Sequence, residues 1–320
     1  MFTDFTVKLT HGTCPAVQLN TANSCTIANN IINSSWGIHL YKANKNDVTN
    51  NSILTINGGI IIANRVNVSS QNLIKNNRIT NKGNPGLEYN NGIALWNCAI
   101  DNTITENYLY NCTNYAIYSE DAGRNTIEKN VIRGNISQKL VGIGLFGYVN
   151  PGNIVRQNDI ADCICAIQSN GAYFTISGNL LKNNWGGMYL GASPTQMVVR
   201  DNVIEGSTEG LRMVYGLDDL IVHNTFRNNN NSLILEVSNR VVVSANNFSG
   251  NTWGVVLLNS WFNVFHRNTF MGNDHYVLSY ASWDVWLLNY WDQPRLLPKV
   301  IVGFLPFVQV DWRPALHPLK

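Results

Sequence analysis

Six residues in the middle of the chain combine aromatic rings, carboxylates, an amide and a guanidinium. They are Tyr118, Glu120, Gln168, Tyr189, Arg212 and Glu236. Tyr118 and Glu120 are two residues apart, which is the spacing of side chains on one face of a strand. Gln168, Tyr189 and Arg212 follow one another at steps of 21 and 23 residues. Aromatic faces, carboxylates and an arginine suit a sugar, which presents both C–H faces and hydroxyls. The residue types therefore predict a substrate-binding groove for a polysaccharide or other glycan.

A motif of isoleucine and asparagine, I-x-x-N-x-I in its plainest form, recurs twelve times along the chain. From Asn158 onward its asparagines follow at steps of 21, 23, 22, 22, 22 and 21 residues. Earlier steps reach 26, 30 and 28 residues, where loops are inserted beside the predicted groove. A fixed period near 22 predicts a solenoid. The asparagines are Asn30, Asn51, Asn77, Asn107, Asn130, Asn158, Asn179, Asn202, Asn224, Asn246, Asn268 and Asn289.

Each repeat is interpreted as three short β-strands. In residues 175–191, Ile176, Leu181 and Leu190 point to the same side, and the chain turns at Asn179. Apolar residues two apart indicate strands with one buried face. No stretch long enough for a major helix has apolar residues at spacings of three and four, so helices cannot cover a parallel sheet here. We therefore expect an all-β parallel β-helix, in which the strands coil and each coil stacks on the one before.

The asparagines have a structural explanation in such a fold. A corner between strands needs a residue that tolerates left-handed backbone angles, and asparagine does so better than other non-glycine residues. When asparagines stack at ~4.8 Å, their amides can hydrogen-bond along the stack. A second column, which includes Asn184, Asn229 and Asn251, follows five residues after the first. We therefore expect both columns to be structural and the chemistry to lie on outward positions.

The repeat resembles the right-handed parallel β-helix superfamily, which has the pectate-lyase-like fold. Within it, the pattern N-x-I … G-I-x-L … I-x-x-N is similar to that of NosD-like proteins, the periplasmic copper-accessory group. The resemblance covers about residues 5–291 and implies a single-stranded right-handed parallel β-helix of about 12–13 coils. It implies little about function, because unrelated activities share this fold. The companion motifs of polygalacturonases and the signature of alginate epimerases are absent from the sequence.

Domain organisation follows from where the motif stops. No linker interrupts the repeat, so residues 1–291 are assigned to one parallel β-helix. Residues 292–320 lose the motif and contain several prolines and aromatic residues. Proline removes ladder donors and aromatic rings can cover the last coil, so we expect a C-terminal proline-rich capping tail. A docking tail for a partner is the alternative. Residues on which the cap depends include Pro298, Phe304, Pro306, Phe307 and Trp312.

Charge and hydropathy restrict the partners. Charged residues make up 13% of the chain and the net charge is +2, which argues against nucleic-acid binding. No apolar run of eighteen or more residues predicts a membrane span. No signal peptide is recognisable, and residues 5–7 and 16–19 already resemble a coil. We therefore expect either a missing upstream segment or a coil-stacking partner at this end. An extracellular or cell-envelope location is the expectation.

Cysteine and histidine patterns give no metal or cofactor. The six cysteines form no C-x-x-C pair, and the histidines do not stand at zinc spacing. Five methionines and six histidines form no tract of the kind that copper handling would need. Free thiols acting as small core residues are the default interpretation. A disulfide between Cys14 and Cys25 is the alternative in an oxidising compartment.

Three functions remain open. The first is carbohydrate binding on the outward face, and if the protein is an enzyme we expect a polysaccharide lyase or glycoside hydrolase. Its catalytic residues are unknown, because Glu120 and Glu236 lie about five coils apart, roughly 20 Å or more at sheet spacing, too far for a carboxylate pair. The second is a structural or adhesive module of an envelope or extracellular assembly. The third is a NosD-like accessory role.

Overall fold

Short parallel strands dominate the computed structural model. It describes residues 1–9, 12–63, 68–83, 90–147, 152–192, 195–301, 303–304 and 308–318. The chain divides into two units, unit 1 (Met1–Gln168) and unit 2 (Ser169–Lys320). Within each unit, three strands make one coil, and equivalent strands of successive coils pair in parallel. In the described part of the chain the only helical element is a short 3-10 turn, Ile136–Gln138. The all-β parallel β-helix predicted from the repeat is therefore confirmed.

Unit 1 has three parallel sheets, and its described second sheet has seven strands. The first sheet contains Phe2–Thr3, Thr26–Ala28, Asp47–Thr49, Leu73–Lys75, Thr103–Thr105, Thr126–Glu128 and Ile154–Arg156. The second contains Thr6–Leu9, Ile31–Ser34, Ser52–Thr55, Arg78–Asn81, Tyr108–Tyr110, Val131–Arg133 and Asp159–Ala161. The third contains Pro15–Asn20, Trp36–Tyr41, Ile60–Ala63, Asn91–Trp96, Tyr115–Glu120 and Val141–Phe146. A separate pair joins Ser69–Ser70 to Ala99–Ile100, and Cys165–Ser169 is the strand at the end of the unit.

Unit 2 repeats the plan, and its described second sheet has six strands. The first sheet contains Thr175–Ser177, Val198–Arg200, Leu220–Val222, Val242–Ser244, Trp261–His266, Trp283–Leu287, Gln309–Asp311 and Lys299–Ile301. The second contains Leu180–Lys182, Val203–Glu205, Thr225–Arg227, Asn247–Ser249, Thr269–Met271 and Tyr290–Trp291. The third contains Gly186–Leu190, Glu209–Val214, Asn231–Glu236, Trp253–Leu258, His275–Tyr280 and Gly303–Phe304. Seven coils in unit 1 and six in unit 2 agree with the predicted 12–13.

The register places residues one period apart beside each other. Ile79 pairs with Ile53 of the preceding coil and with Leu109 of the following one, and all three side chains are at most 2% exposed. In unit 2, Leu211 pairs with Leu233 in the same manner. Full burial of such a side chain stabilises the fold by about 1.5–3 kcal/mol. A slip of one residue would turn these side chains to solvent, so the apolar columns fix the register.

The asparagine ladder is confirmed in both units. In unit 1, Asn51 donates from its backbone N–H and from Nδ2 to Oδ1 of Asn77, at 3.0 Å in each case. In unit 2, Asn179 Nδ2 lies 2.9 Å from Asn202 Oδ1, and Asn202 Nδ2 lies 2.9 Å from Asn224 Oδ1. The ladder residues are buried, so each bond replaces one that water would otherwise make. The first column is therefore structural.

One detail of the corner prediction is wrong. The left-handed backbone belongs to the residue before each ladder asparagine, not to the asparagine itself. Asn50 (φ 57°), His223 (φ 55°) and Leu288 (φ 58°) are examples, and each precedes a ladder asparagine. The left-handed residue turns the chain, and the ladder amide that follows lies inside the coil and bonds to backbone carbonyls. This separation of roles explains why the position before the ladder accepts many residue types.

A further ladder, which the sequence analysis did not identify, lies five residues before the first. In unit 1, Asn46, Asn72, Asn102 and Asn125 each donate a backbone N–H to Oδ1 of the next asparagine in the column, at 2.9–3.0 Å. In unit 2 this position is apolar in some coils and polar in others. The polar members include Asp219, Asn263 and Asp284, and the N–H of Asp284 bonds to Gln309 Oε1 at 3.1 Å. The apolar members are Phe174, Met197 and Val241. The mixture of residue types in unit 2 conceals the column in the sequence.

The described part of the tail packs on the last coil of unit 2. Lys299–Ile301 pairs antiparallel with Gln309–Asp311, and Asp311 pairs with Trp286. The first asparagine ladder ends on this tail, because Asn289 donates from its backbone N–H and Nδ2 to Asp311 Oδ2 at 3.0 and 3.1 Å. Pro306 and Phe307 lie outside the described residues, and the side chain of Phe304 is not described.

The cysteines are free thiols in this structure. Cys14 is exposed and Cys25 half-buried, without a bond between them. Cys112 and Cys163 are fully buried, as expected for small core residues. Burial raises the pKa of Cys112 to about 12, so the thiol stays protonated near neutral pH. In the part of the chain described, no helix has the length and apolar character that a membrane crossing requires.

Candidate functional site

The six predicted site residues all lie on third-sheet strands, at positions that are not buried. Tyr118 and Glu120 belong to Tyr115–Glu120, and Gln168 to Cys165–Ser169. Tyr189, Arg212 and Glu236 belong to three successive strands of unit 2. Three of the residues are in unit 1 and three in unit 2, so each group is described within its own unit.

In unit 1 the strand register aligns Tyr118 and Glu120 with two columns. Tyr118 lies between Ala94 and Gly144 of the neighbouring strands. Glu120 lies between Trp96 and Phe146. The outward face therefore carries large rings in one column and small residues beside Tyr118 in the other. This alternation lets rings from adjacent coils lean toward one another.

Four half-buried rings meet on this face. They are Trp96, Tyr115, Tyr118 and Phe146, here called the aromatic cluster. The Tyr118 ring centroid lies 5.0 Å from that of Tyr115, 5.4 Å from Phe146 and 6.4 Å from Trp96. Tyr115 and Phe146 meet edge to face at 5.5 Å, with an interplanar angle of 81°. These separations are within the range of favourable aromatic pairs, so the rings hold one another in position.

Gly144 makes room for the aromatic cluster. A Cβ at this position would lie 2.6 Å from the Tyr115 ring and 2.7 Å from the Phe146 ring. Those distances are shorter than side chains tolerate, so any residue larger than glycine would displace one of the rings. The glycine at position 144 is therefore part of the architecture of the cluster.

Glu120 adds a carboxylate to the rings. Its Oε2 accepts the Tyr118 hydroxyl at 2.9 Å, and the side chain is exposed. Burial raises the pKa of Tyr115, and the charges of Cys165 and Glu120 add to the rise. Tyr115 is therefore a neutral hydroxyl donor near neutral pH. Gln168 is half-buried on its strand. The face thus combines apolar ring surface with hydroxyl and carboxylate groups.

In unit 2 the predicted residues form a charged cluster. Arg212 donates from Nε and Nη2 to Glu236 Oε2, at 3.2 and 2.6 Å, and from Nη1 to Glu209 Oε1 at 3.1 Å. The Arg212 and Glu236 side chains are about one-third exposed. One guanidinium therefore binds both carboxylates, and Glu209 and Arg212 form an ion pair on one strand.

Tyr189 lies beside this charged cluster in the register. It pairs with Arg212 of the next strand, and 39% of its surface is exposed. Its ring lies over Gly191, where a Cβ would come within 2.7 Å of the ring. Tyr189 thus presents an open aromatic face next to charged hydrogen-bonding groups.

Tyr115 lies outside the set of residues predicted for the site. The residue that begins a third-sheet strand forms a column of its own, which in unit 1 pairs Asn91 with Tyr115 and Tyr115 with Val141. Asn91 and Val141 are buried, whereas Tyr115 is half-buried. In unit 2 the same column pairs Trp253 with His275. The sequence does contain a signal for this position, because the residue stands one or two positions before the alternating apolar pair of each strand. It was hidden because the position is polar in many coils.

Copper or another metal requires a set of donor side chains. Over the residues placed by the structure, no group of three or more histidine, cysteine, aspartate or glutamate side chains could hold a metal ion. Asp218, a member of the acidic pair at 218–219, is held by Arg240 at 2.6 and 2.8 Å. Asp219 is buried and accepts the Met197 and Leu217 N–H groups at 2.8 Å. Neither carboxylate is available to a metal.

Solved structures with the same fold define the class of this protein. A DFA-IIIase from Arthrobacter chlorophenolicus, in complex with GF2, aligns over 74% of this chain and 68% of its own, at 14% identity and a TM-score of 0.58. A catalytic domain of a GH87 alpha-1,3-glucanase, in complex with tetrasaccharides, aligns over 88% of this chain and 63% of its own, at 11% identity and a TM-score of 0.51. At these identities the comparison shows the fold alone. The protein is a right-handed parallel β-helix.

The family follows from the sequence. The family described as Periplasmic copper-binding protein (NosD) matches residues 136–303, more than half of the 320 residues. The chain therefore belongs to the NosD family, as the repeat pattern predicted. A search of curated proteins with the sequence gives no match.

Proposed function

We propose that the protein binds carbohydrate in the cell envelope or outside the cell, and that the aromatic cluster of unit 1 is the principal contact. The observation that carries the proposal is the gathering of four half-buried rings on an outward face, with Glu120 bonded to Tyr118. Soluble proteins rarely leave such ring surface open without a binding role. Tyr189, Arg212, Glu236 and Gln168 are proposed as contacts to the same class of ligand.

The chemistry of the cluster fits a sugar ring. The C–H face of a pyranose or furanose packs against aromatic carbons, while its hydroxyls need donors and acceptors at the edge. The Tyr118 hydroxyl and the Glu120 carboxylate supply those groups. The rings hold one another in position in the space that Gly144 leaves, so little conformational entropy is lost when a ligand binds.

Two comparisons support the proposal. The fold is shared with a glucanase domain whose structure contains tetrasaccharides, and polysaccharide is the class of ligand proposed here. The family description places its members in the periplasm, which agrees with a location in the cell envelope. Binding is inferred from the side chains of this protein, because the fold also serves unrelated activities.

A glycan array with immobilised polysaccharides, followed by calorimetry on the best ligand, tests the proposal. We expect Tyr118→Ala to weaken binding about tenfold, since an aromatic contact in a binding site contributes about 1–1.5 kcal/mol. Tyr110→Ala is the matched control, because Tyr110 is an exposed tyrosine of unit 1 on a second-sheet strand. Equal affinity for the two variants would remove the aromatic cluster from the binding surface.

An accessory role in handling copper is the second candidate, and the family match favours it. Within the described ranges the chain offers no cluster of three donor side chains. Equilibrium dialysis against copper at submicromolar concentration separates the two candidates. Stoichiometric retention of copper, together with an array on which no glycan binds, would replace carbohydrate binding with the accessory role.

A further inference from the structure

A pocket in unit 2 is lined by none of the residues of the two clusters described above. It forms where the tail strand Lys299–Ile301 meets the start of the third-sheet strand His275–Tyr280. Its volume is about 270 Å³. That is just below the usual range for ligand pockets, so its occupant is the size of one monosaccharide rather than of a chain. The residues that line it include Trp253, Asp274, His275, Tyr276, Trp291 and Lys299.

Aromatic rings form two sides of this pocket. Trp253 and His275 stack with their centroids 4.2 Å apart and their planes 25° from parallel. Trp291 is fully buried, and Tyr276 meets it edge to face at 5.7 Å. Trp253 and His275 are not buried, so they present ring surface to an incoming molecule. Trp291 and Tyr276 therefore form an apolar base of the pocket, and Trp253 and His275 form an apolar wall.

Lys299 supplies a cation that lies against two aromatic rings. Its Nζ lies 4.8 Å from the centre of the Tyr276 ring and 6.0 Å from that of Trp291. None of the salt bridges among the residues placed by the structure includes Lys299. Burial lowers the pKa of Lys299, and the nearby charge of Arg295 lowers it further, whereas the charge of Asp292 partly offsets these two effects. A bound anion would relieve both effects.

The carboxylate nearest in sequence is already committed elsewhere. Asp292 Oδ1 accepts the Gly272 N–H at 2.6 Å, and its Oδ2 accepts the Tyr276 hydroxyl. Burial raises the pKa of Tyr276 to about 12, and the bond to Asp292 adds to the rise. Both carboxylate oxygens of Asp292 are therefore hydrogen-bonded to other groups, and the charge of Asp292 acts on Lys299 without a salt bridge, which leaves the ammonium donors for a ligand.

We propose that this pocket binds a monosaccharide that carries a carboxylate, a hexuronate or a terminal hexuronate residue. The carboxylate would pair with the Lys299 ammonium, and a C–H face of the sugar would lie against Trp253 and His275. A cation bordered by rings distinguishes such a ligand from a neutral sugar, which lacks the charge, and from a simple carboxylate, which lacks the apolar face. The proposal does not require the aromatic cluster of unit 1 to bind anything.

Calorimetry or ligand-observed NMR with galacturonate, galactose and acetate tests the proposal. We expect galacturonate to bind, and galactose and acetate to bind at least about tenfold more weakly, because each loses one of two contacts of about 1.4 kcal/mol. Lys299→Met should weaken galacturonate binding by about tenfold or more and leave galactose binding unchanged. Lys129→Met, at an exposed lysine of unit 1, is the matched control.

The variants also separate this site from the proposed function. Lys299→Arg keeps the charge and should retain most of the affinity, which shows that a loss in Lys299→Met does not come from misfolding. Tyr118→Ala should leave galacturonate binding intact. The proposal is overturned if galacturonate does not bind at millimolar concentration, if Lys299→Met binds it as well as the original protein, or if acetate binds equally well.

Discussion

One group of aromatic rings in each unit illustrates two opposite uses of these residues. In unit 1, Tyr115, Tyr118 and Phe146 gather on the outward face of the third sheet. In unit 2, rings stack inside the coil. Phe226, Phe248, Phe270 and Trp291 form a continuous column with centroid separations of 4.9, 4.9 and 4.5 Å.

These two groups of rings show how a stacked register arranges residues of one type. Successive coils place like residues beside each other, so rings at one position of the period form a column on either face. The inward column is fully buried and stabilises the fold through packing, whereas the outward cluster is open to a ligand. Whether a column of rings contributes to stability or to binding therefore depends on the face of the sheet on which it lies, and not on its residue types.

The largest expected effect is on the inward column. Phe248→Ala should lower the free energy of unfolding by about 3–5 kcal/mol, because it removes a buried ring and leaves a cavity. Tyr118→Ala should lower it by only about 1 kcal/mol, since that ring is half-buried and keeps solvent on one side. Urea unfolding followed by circular dichroism measures both. Similar losses for the two variants would contradict the distinction between the faces.

The second-largest expected effect on stability is the loss of an asparagine side chain from the ladder. Asn224 donates to Asn246 Oδ1 and to the Val199 carbonyl, both inside the coil. Asn224→Ala removes both bonds and also the Oδ1 atom that accepts the Asn202 N–H and Nδ2, so it should lower the free energy of unfolding by about 1–3 kcal/mol. Asn230→Ala, at an exposed asparagine in the same coil, should change it by less than about 0.5 kcal/mol. The ladder would lose its structural role if both variants unfolded at the same urea concentration.

The buried carboxyl of Asp284 should make unit 2 sensitive to pH. Burial raises the pKa of Asp284 to about 7, and its Oδ2 is buried without a hydrogen bond. A carboxyl whose pKa is raised on folding contributes stability that is fully present below its unfolded pKa of about 3.8 and is lost as the pH rises through about 7.

Asp284→Asn should remove this pH dependence. Asn263, one coil earlier in the same ladder, donates from Nδ2 to the Ser238 carbonyl, which a carboxylate oxygen cannot do. We therefore expect the variant to be more stable at pH 8, by up to about 4 kcal/mol, and closer to the original protein at pH 5. Thermal unfolding at the two pH values measures the difference. An unchanged pH profile would show that Asp284 does not titrate in this range.

The smallest effect should come from the charged cluster of unit 2. Arg212→Gln removes the ion pairs with Glu209 and Glu236, which are partly exposed to solvent. Such pairs contribute about 1 kcal/mol or less, so the urea midpoint should shift only slightly. A large loss would mean that this cluster is a structural element and would weaken its proposed role as a ligand contact.

Much of the candidate site was predictable from the sequence. Tyr118, Glu120, Tyr189 and Arg212 lie on outward positions because alternation along a strand is strict and the inward positions are fixed by burial. Tyr115 was not predicted, because the first residue of a strand does not follow the alternation. Its ring reaches Tyr118 through an angle that only the coordinates give.

The sequence by itself determined the parallel β-helix, its period near 22 and the inward columns. It could do so because each coil repeats one pattern of apolar residues and asparagines, and a shift of register would expose that pattern to water. The tertiary structure decided which residue takes the left-handed corner, how rings from different coils meet, and that Lys299 lies against Tyr276. These features depend on contacts between residues far apart in the chain, and no local pattern encodes such contacts.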